Sequence, residues 1–187
     1  MVKNKACVFI SGSGTNLRSI IKNSRDYNFP INISLVISNK KNAAGIYFAK
    51  KFAIPFIVLD VSREKFEKMA LKELLNRKIK LLCLAGFMKI LSKSFIRKFK
   101  GKIINIHPSL LPKYKGLNTF KRVLNAGEKI TGCTVHLVNE KLDDGKIIVK
   151  KRVAISASDN PEKLKKKVQS EEYKAYSIAI RKMYNFS

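Results

Sequence analysis

The sequence predicts an α/β fold: a Rossmann-like, mostly parallel twisted sheet with helices on both faces and an antiparallel strand pair near the C-terminal part. Three observations carry this. Short, wholly apolar stretches alternate with amphipathic ones, as in parallel strands covered on both sides. The first apolar stretch runs into a glycine turn, SGSGTN, and then a helical pattern. After Asn118 the alternation stops, and two strand-like stretches flank the turn-forming segment NEKLDDG.

The elements follow in order. Lys5 to Ile10 reads as a buried strand, and Asn16 to Lys22 opens a helix. Ile31 to Ile37 is a second strand, Ala43 to Phe52 a helix, and Phe56 to Leu59 a short third strand. Ser62 is a good N-cap for a helix over Arg63 to Asn76, because its hydroxyl can accept an unpaired N–H of the first turn. Lys80 to Leu84 is the fourth strand, Ser92 to Phe99 a helix, and Ile103 to Ile106 the fifth strand. Thr119 to Ala126 is helical, and Thr131 to Val138 and Lys146 to Ala154 form the antiparallel pair. Pro161 suits the first turn of a long helix to Met183.

Composition bounds the class. At 187 residues one domain, 1–187, with a single sizeable core is expected. No apolar run approaches the roughly 20 residues a membrane helix needs. The apolar stretch Ala6 to Ile10 is too short for a signal sequence, so a cytoplasmic protein is expected. Cys7, Cys83 and Cys133 are odd in number, far apart and without a CxxC. A disulfide framework, a zinc site or any other metal is not expected, and Cys7 and Cys83, in apolar strand-like runs, are expected to be buried, inert thiols.

The 39 Lys plus Arg against 13 Asp plus Glu leave a charge of +26. A concentrated basic patch would point to a polyanion. These lysines are spread, and the densest runs, Lys165 to Lys167 and Arg97 to Lys102, are not interleaved with aromatics. The charge is therefore read as a solvated surface that attracts small anions, not as a nucleic-acid footprint.

Two stretches carry chemistry. In ISGSGTNL the glycines allow a sharp turn and close ligand approach. The following helix N-terminus presents free N–H groups to an anion. The motif is neither GxGxxG nor a Walker loop, so a phosphate monoester fits better than a dinucleotide, and a ligand-free tight turn fits equally. In NIHPSLLPKYKG, Asn105 and His107 are two apart on a strand and share one side. Pro108 and Pro112 stiffen the loop that follows. At the carboxyl end of a parallel strand both side chains would face the ligand crevice. An amide N–H and an imidazole there could hold an oxyanion and move a proton; a histidine simply bonded into its loop is the alternative. Asp143 and Asp144 in LDDG are candidate acids. A carboxylate beside His107 would raise its pKa above ~6.5, although Asp-Asp-Gly is also ordinary turn chemistry. His136, within the strand TVHLV, reads as structural, with a supporting role near the site left open.

Taken together the motifs resemble the glycinamide ribonucleotide formyltransferases, folate-dependent enzymes of purine synthesis. The resemblance runs from Ala6 to about Tyr176 through ISGSGTNL, ISNK, SRE, LAGFMKIL, NIHPSLLPKYKG, GCTVH, LDDG and VQSEE. It implies the formyltransferase fold, with a phosphate-binding half over about 1–100 and a catalytic, folate-binding half over about 101–187. It implies formyl transfer from 10-formyltetrahydrofolate to the amine of glycinamide ribonucleotide. Asn105, His107 and Asp143 would be catalytic; Gly14, Thr15, Asn16 and Glu172 would bind the ribonucleotide. Arg63, Met88, Lys89, Ile90 and Leu91, with Asn105, would line the folate site. The partners implied are these two small molecules, on a monomer or homodimer, without a membrane.

The chain departs from the family pattern in places. Members commonly carry arginine at Lys89, histidines at Asn118 and Phe120, and glycine at Asp144. Methionyl-tRNA formyltransferases share an SLLP loop, but usually lack the proline after the histidine and the SGSGTN loop. Formyltetrahydrofolate deformylases, which carry an extra N-terminal domain, are a further alternative. A non-catalytic basic nucleic-acid-binding protein is the alternative from another class.

Overall fold

The computed structural model describes residues 3–185. Seven strands form one sheet in the order β3-β2-β1-β4-β5-β6-β7. They are β1 Asn4–Ile10, β2 Ile31–Ser38, β3 Phe56–Val58, β4 Leu81–Leu84, β5 Lys102–His107, β6 Ile130–Leu137 and β7 Ile147–Ala154. The first five are mutually parallel. β6 runs antiparallel to β5, and β7 antiparallel to β6. The expected antiparallel pair therefore extends the main sheet itself. Strand order reverses at β1, which lies between β2 and β4; open α/β sheets bind ligands outside that switch point.

Alternation along β1 sorts the core. Ala6, Val8 and Ile10 face one layer with Leu17, Ile20, Ala175 and Tyr176. Cys7 and Phe9 face the other, with Phe66, Ala70 and Phe95. The first layer holds α1 Thr15–Ser24, α2 Ile46–Lys51, α5 Thr119–Asn125 and α6 Pro161–Met183. The second holds α3 Arg63–Asn76 and α4 Lys93–Lys98. Burial of these strands on both faces explains why they are apolar throughout.

Local signals set the helix starts. Ser62 accepts from the Lys65 N–H at 3.4 Å, Ser92 from Phe95 at 3.0 Å and Asn160 from Lys163 at 2.9 Å. α2 starts at Ile46, later than the expected Ala43, because the preceding residues turn so that Gly45 N–H can donate to the Gly12 carbonyl at 2.9 Å. All three cysteines are buried and free. Burial pushes every thiol up, Cys133 to about 12, which makes them inert. Among the described residues no helix is long and apolar enough to cross a membrane.

Candidate functional site

β5 ends in Asn105 and His107, and the antiparallel β6 sets His136 opposite Asn105 and Thr134 opposite His107. Between β6 and β7 the chain turns through Asp143, whose φ of 47° is left-handed, a region that aspartate tolerates. This turn brings Asp143 Oδ2 to 3.2 Å from His107 Nδ1, with both side chains buried. The Gly116 N–H donates to the same oxygen at 2.9 Å. His107 and Asp143 thus meet, and Asn105, two residues earlier on β5, lies opposite His136.

The other His107 nitrogen, Nε2, donates to the Tyr114 carbonyl at 2.8 Å. A carbonyl only accepts, so it keeps the proton on Nε2 and leaves Nδ1, the nitrogen beside Asp143, as the one able to exchange a proton. Burial pushes the His107 imidazole below its ordinary value, against the Tyr114 carbonyl and the Asp143 carboxylate, which both pull it up. The expected rise is therefore corrected. Asp143 acts in the expected direction, but desolvation of the ring outweighs it. Burial alone would raise Asp143 as well. The Gly116 N–H and the charge of His107 act against it, and its carboxyl is held below the usual range.

His136 lies beside these residues. Its Nδ1 donates to the Leu137 carbonyl at 2.8 Å. That leaves Nε2 to accept, and Asn105 Nδ2 donates to it at 3.3 Å. This fixes the Asn105 carboxamide and leaves its second N–H to donate elsewhere. Asp143 Oδ1 lies 3.7 Å from the same His136 nitrogen. Nothing in the local sequence signals the contact between Asn105 and His136, because it depends on the register of β6 against β5.

Gly14, Thr15 and Asn16 sit at the start of α1, with Gly14 left-handed at φ 71°. Gly14 and Gly45 touch backbone to backbone. A Cβ on Gly14 would lie 2.4 Å from the Gly45 Cα, so Gly45, unnoticed in the sequence, shapes this loop. Asn16 Nδ2 donates to Glu172 Oε2 at 2.8 Å. Asn16 Oδ1 is buried without a partner, an open acceptor of the kind a ligand donor satisfies. Burial pushes the Glu172 carboxyl up, against the bond from Asn16. Tyr176, one turn later on α6, donates to the Leu84 carbonyl at 2.9 Å. So α6 ties the start of α1 to the end of β4.

The remaining predicted residues lie on two other segments, Met88 to Leu91 after β4 and Arg63 at the start of α3. Met88 and Ile90 expose their side chains, while Leu91 is buried. Lys89 Nζ donates to the Val61 carbonyl at 3.0 Å and rests over the Phe66 ring. Arg63 is exposed at the start of α3. Two surface hollows of about 400 and 430 Å³ lie elsewhere, one beside Arg25 and Phe52, the other beside Lys113 and Arg152. Neither is lined by Asn105, His107 or Asp143, and convergent polar chemistry marks the candidate site better than hollow size does.

Comparison with known proteins agrees with this fold. The formyl transferase family profile matches residues 4–180. The phosphoribosylglycinamide formyltransferase of Haemophilus influenzae is 42% identical over 95% of this chain and 85% of its own. The trifunctional purine biosynthetic protein adenosine-3 of Gallus gallus is 43% identical over 96% of this chain. This chain spans only 18% of that longer relative. The crystal structure of phosphoribosylglycinamide formyltransferase from Brucella melitensis superposes with a TM-score of 0.92 at 39% identity, covering 97% of this chain and 96% of that one. With the same fold and similarity at this level along nearly all of this chain, the chain belongs to the phosphoribosylglycinamide formyltransferase family.

Proposed function

We propose that the protein transfers a formyl group from 10-formyltetrahydrofolate to the primary amine of glycinamide ribonucleotide, giving formylglycinamide ribonucleotide and tetrahydrofolate in purine synthesis. The observation that carries this is the convergence of Asn105, His107 and Asp143 at the carboxyl end of β5, within a chain of this family.

The amine nitrogen attacks the formyl carbon, and the carbonyl oxygen takes up negative charge. The free N–H of Asn105 donates to that oxygen, its carboxamide held by His136. Such a preorganised donor gains strength as charge develops. His107 Nδ1 accepts a proton from the attacking amine, with the resulting imidazolium stabilised by Asp143. The proton then goes to the donor nitrogen as its bond to the formyl carbon breaks.

The ribonucleotide phosphate would sit on the N–H groups of Gly14, Thr15 and Asn16. Donors on its polar end would satisfy Glu172 and the unpartnered Asn16 Oδ1. The folate would lie along Met88 to Leu91, where exposed apolar side chains suit a flat ring, with Arg63 and Lys89 as nearby cations. Lys89 lacks the planar fork of arginine and is engaged by the Val61 carbonyl, so its grip on a glutamate tail is looser. We also infer two halves, phosphate-binding over about 1–100 and catalytic over about 101–187.

The test is a formyl-transfer assay with both small molecules, run beside one with methionine-charged initiator tRNA. Transfer to the ribonucleotide alone supports the reading, and transfer to the tRNA alone overturns it.

A further inference from the structure

The hydroxyl of Ser11 joins two loops that the proposed reaction assigns to different substrates. Ser11 follows β1 as the first residue of the glycine turn and is 5% exposed. Its Oγ donates to Asn39 Oδ1 at 2.6 Å. The same oxygen accepts the Met88 N–H at 2.8 Å. Asn39 is 2% exposed, at the exit of β2. Its oxygen can only accept, so it fixes the hydroxyl proton and turns a lone pair toward Met88. Bonds in such a chain polarise one another. Backbone bonds frame the bridge. Ser11 N–H donates to the Gly86 carbonyl at 3.2 Å, and Gly45 N–H to the Gly12 carbonyl at 2.9 Å.

We propose that Ser11 is a positioning residue that couples the two ligand sites, so that ordering the glycine turn around a phosphate orders the Met88 segment for the folate. This rests on the reading above. The physical warrant is the shared atom. The turn over Ser11 to Gly14 cannot shift without moving or breaking the acceptor of the Met88 N–H. Met88 is 65% exposed and lies in a segment without regular secondary structure. Ser11 is thus a buried anchor for an otherwise open segment. Such coupling is reciprocal: each ligand must change the affinity of the other by the same factor.

The experiment measures, by calorimetry, the affinities of glycinamide ribonucleotide and of tetrahydrofolate, each alone and with the other saturating. In the unaltered protein each should tighten the other by at least about fivefold. In Ser11→Ala the coupling should fall to near unity. The KM for the formyl donor should rise more than kcat falls, and the Met88 amide should lose its slowing of hydrogen exchange on ribonucleotide binding. A hydroxyl that merely stabilised the fold would lower the melting temperature and leave the coupling factor intact. Should Ser11→Ala not fold, Asn39→Ala, which frees the hydroxyl to rotate, carries the same test with a partial loss expected. Coupling absent from the unaltered protein, or surviving both substitutions, overturns the inference alone. Failure of the unaltered protein to bind either ligand removes the functional reading, and the inference with it.

Discussion

His107 Nδ1, at the end of β5, lies 3.2 Å from Asp143 Oδ2, in the turn between β6 and β7. The neighbouring Asp144 instead pairs with Lys115 at the surface. The two acids of LDDG are therefore separable. Asp143→Asn should cut turnover by at least about a hundredfold, the usual worth of a positioned acid–base group. It should also move the His107 pKa further down, since the carboxylate pulls it up. Asp144→Asn should stay within a few-fold of normal, because exposed pairs contribute ~0–1 kcal/mol. Steady-state kinetics with an NMR titration of the ring checks both, and a damaging Asp144→Asn beside a benign Asp143→Asn would reassign the acid.

Stability should rise with pH across the acid range. His107 and Asp143 both titrate lower in the fold than their ordinary values, so the unfolded chain binds more protons. The His107 contribution is complete above its unfolded value of ~6.5 and fades as pH falls below it; that of Asp143 fades below about 4. Urea unfolding at a series of pH values measures this, and His107→Gln should flatten the upper part of the slope.

Glu172 has the opposite sign. Burial raises its carboxyl, so its contribution is present below the unfolded value and is lost as pH rises through the folded one. Glu172→Gln removes that penalty and can donate to the unpartnered Asn16 Oδ1. It should stabilise the protein at neutral pH by about 1 kcal/mol, the worth of one hydrogen bond, while weakening glycinamide ribonucleotide binding. Thermal melts and calorimetry should therefore move in opposite senses. A fall in both would contradict the assignment of Glu172 to substrate.

Gly45→Ala should destabilise by about 1–3 kcal/mol, the cost of overpacking. Its Cβ would lie 2.8 Å from the Gly14 Cα and 2.9 Å from Ile10 Cδ1. Its own φ of −61° is ordinary, so the effect is purely steric. Because the push lands on the glycine turn, the KM for the ribonucleotide should rise more than that for the formyl donor.

His136→Phe keeps a flat ring but removes the acceptor for Asn105 Nδ2. Turnover should fall about tenfold, on the order of one hydrogen bond, with little change in either KM. An unchanged kcat would show that the Asn105 carboxamide is held by something else.

Much of this protein was determined by local sequence. Short unbroken apolar runs such as Leu81–Leu84, alternating with amphipathic stretches, fit strands buried on both faces. Ser62 and Asn160 cap the helices they precede, since capping needs only residues a few places apart. Asn105 and His107 share a face because a strand has a period of two. Tertiary structure decided what those residues meet. Asn16 finds Glu172 across 156 positions, and Ser11 finds Met88 across 77. Asn105 faces His136 only in the register that β6 adopts against β5, and a one-residue slip would turn every side chain to the other face. The direction of the His107 shift was likewise invisible in the chain. It depends on how far the packed loop strips water from the ring, which the neighbouring carboxylate only partly offsets. Periodicity and capping act over one or two turns, whereas burial and long-range bonds arise only once the layers have packed.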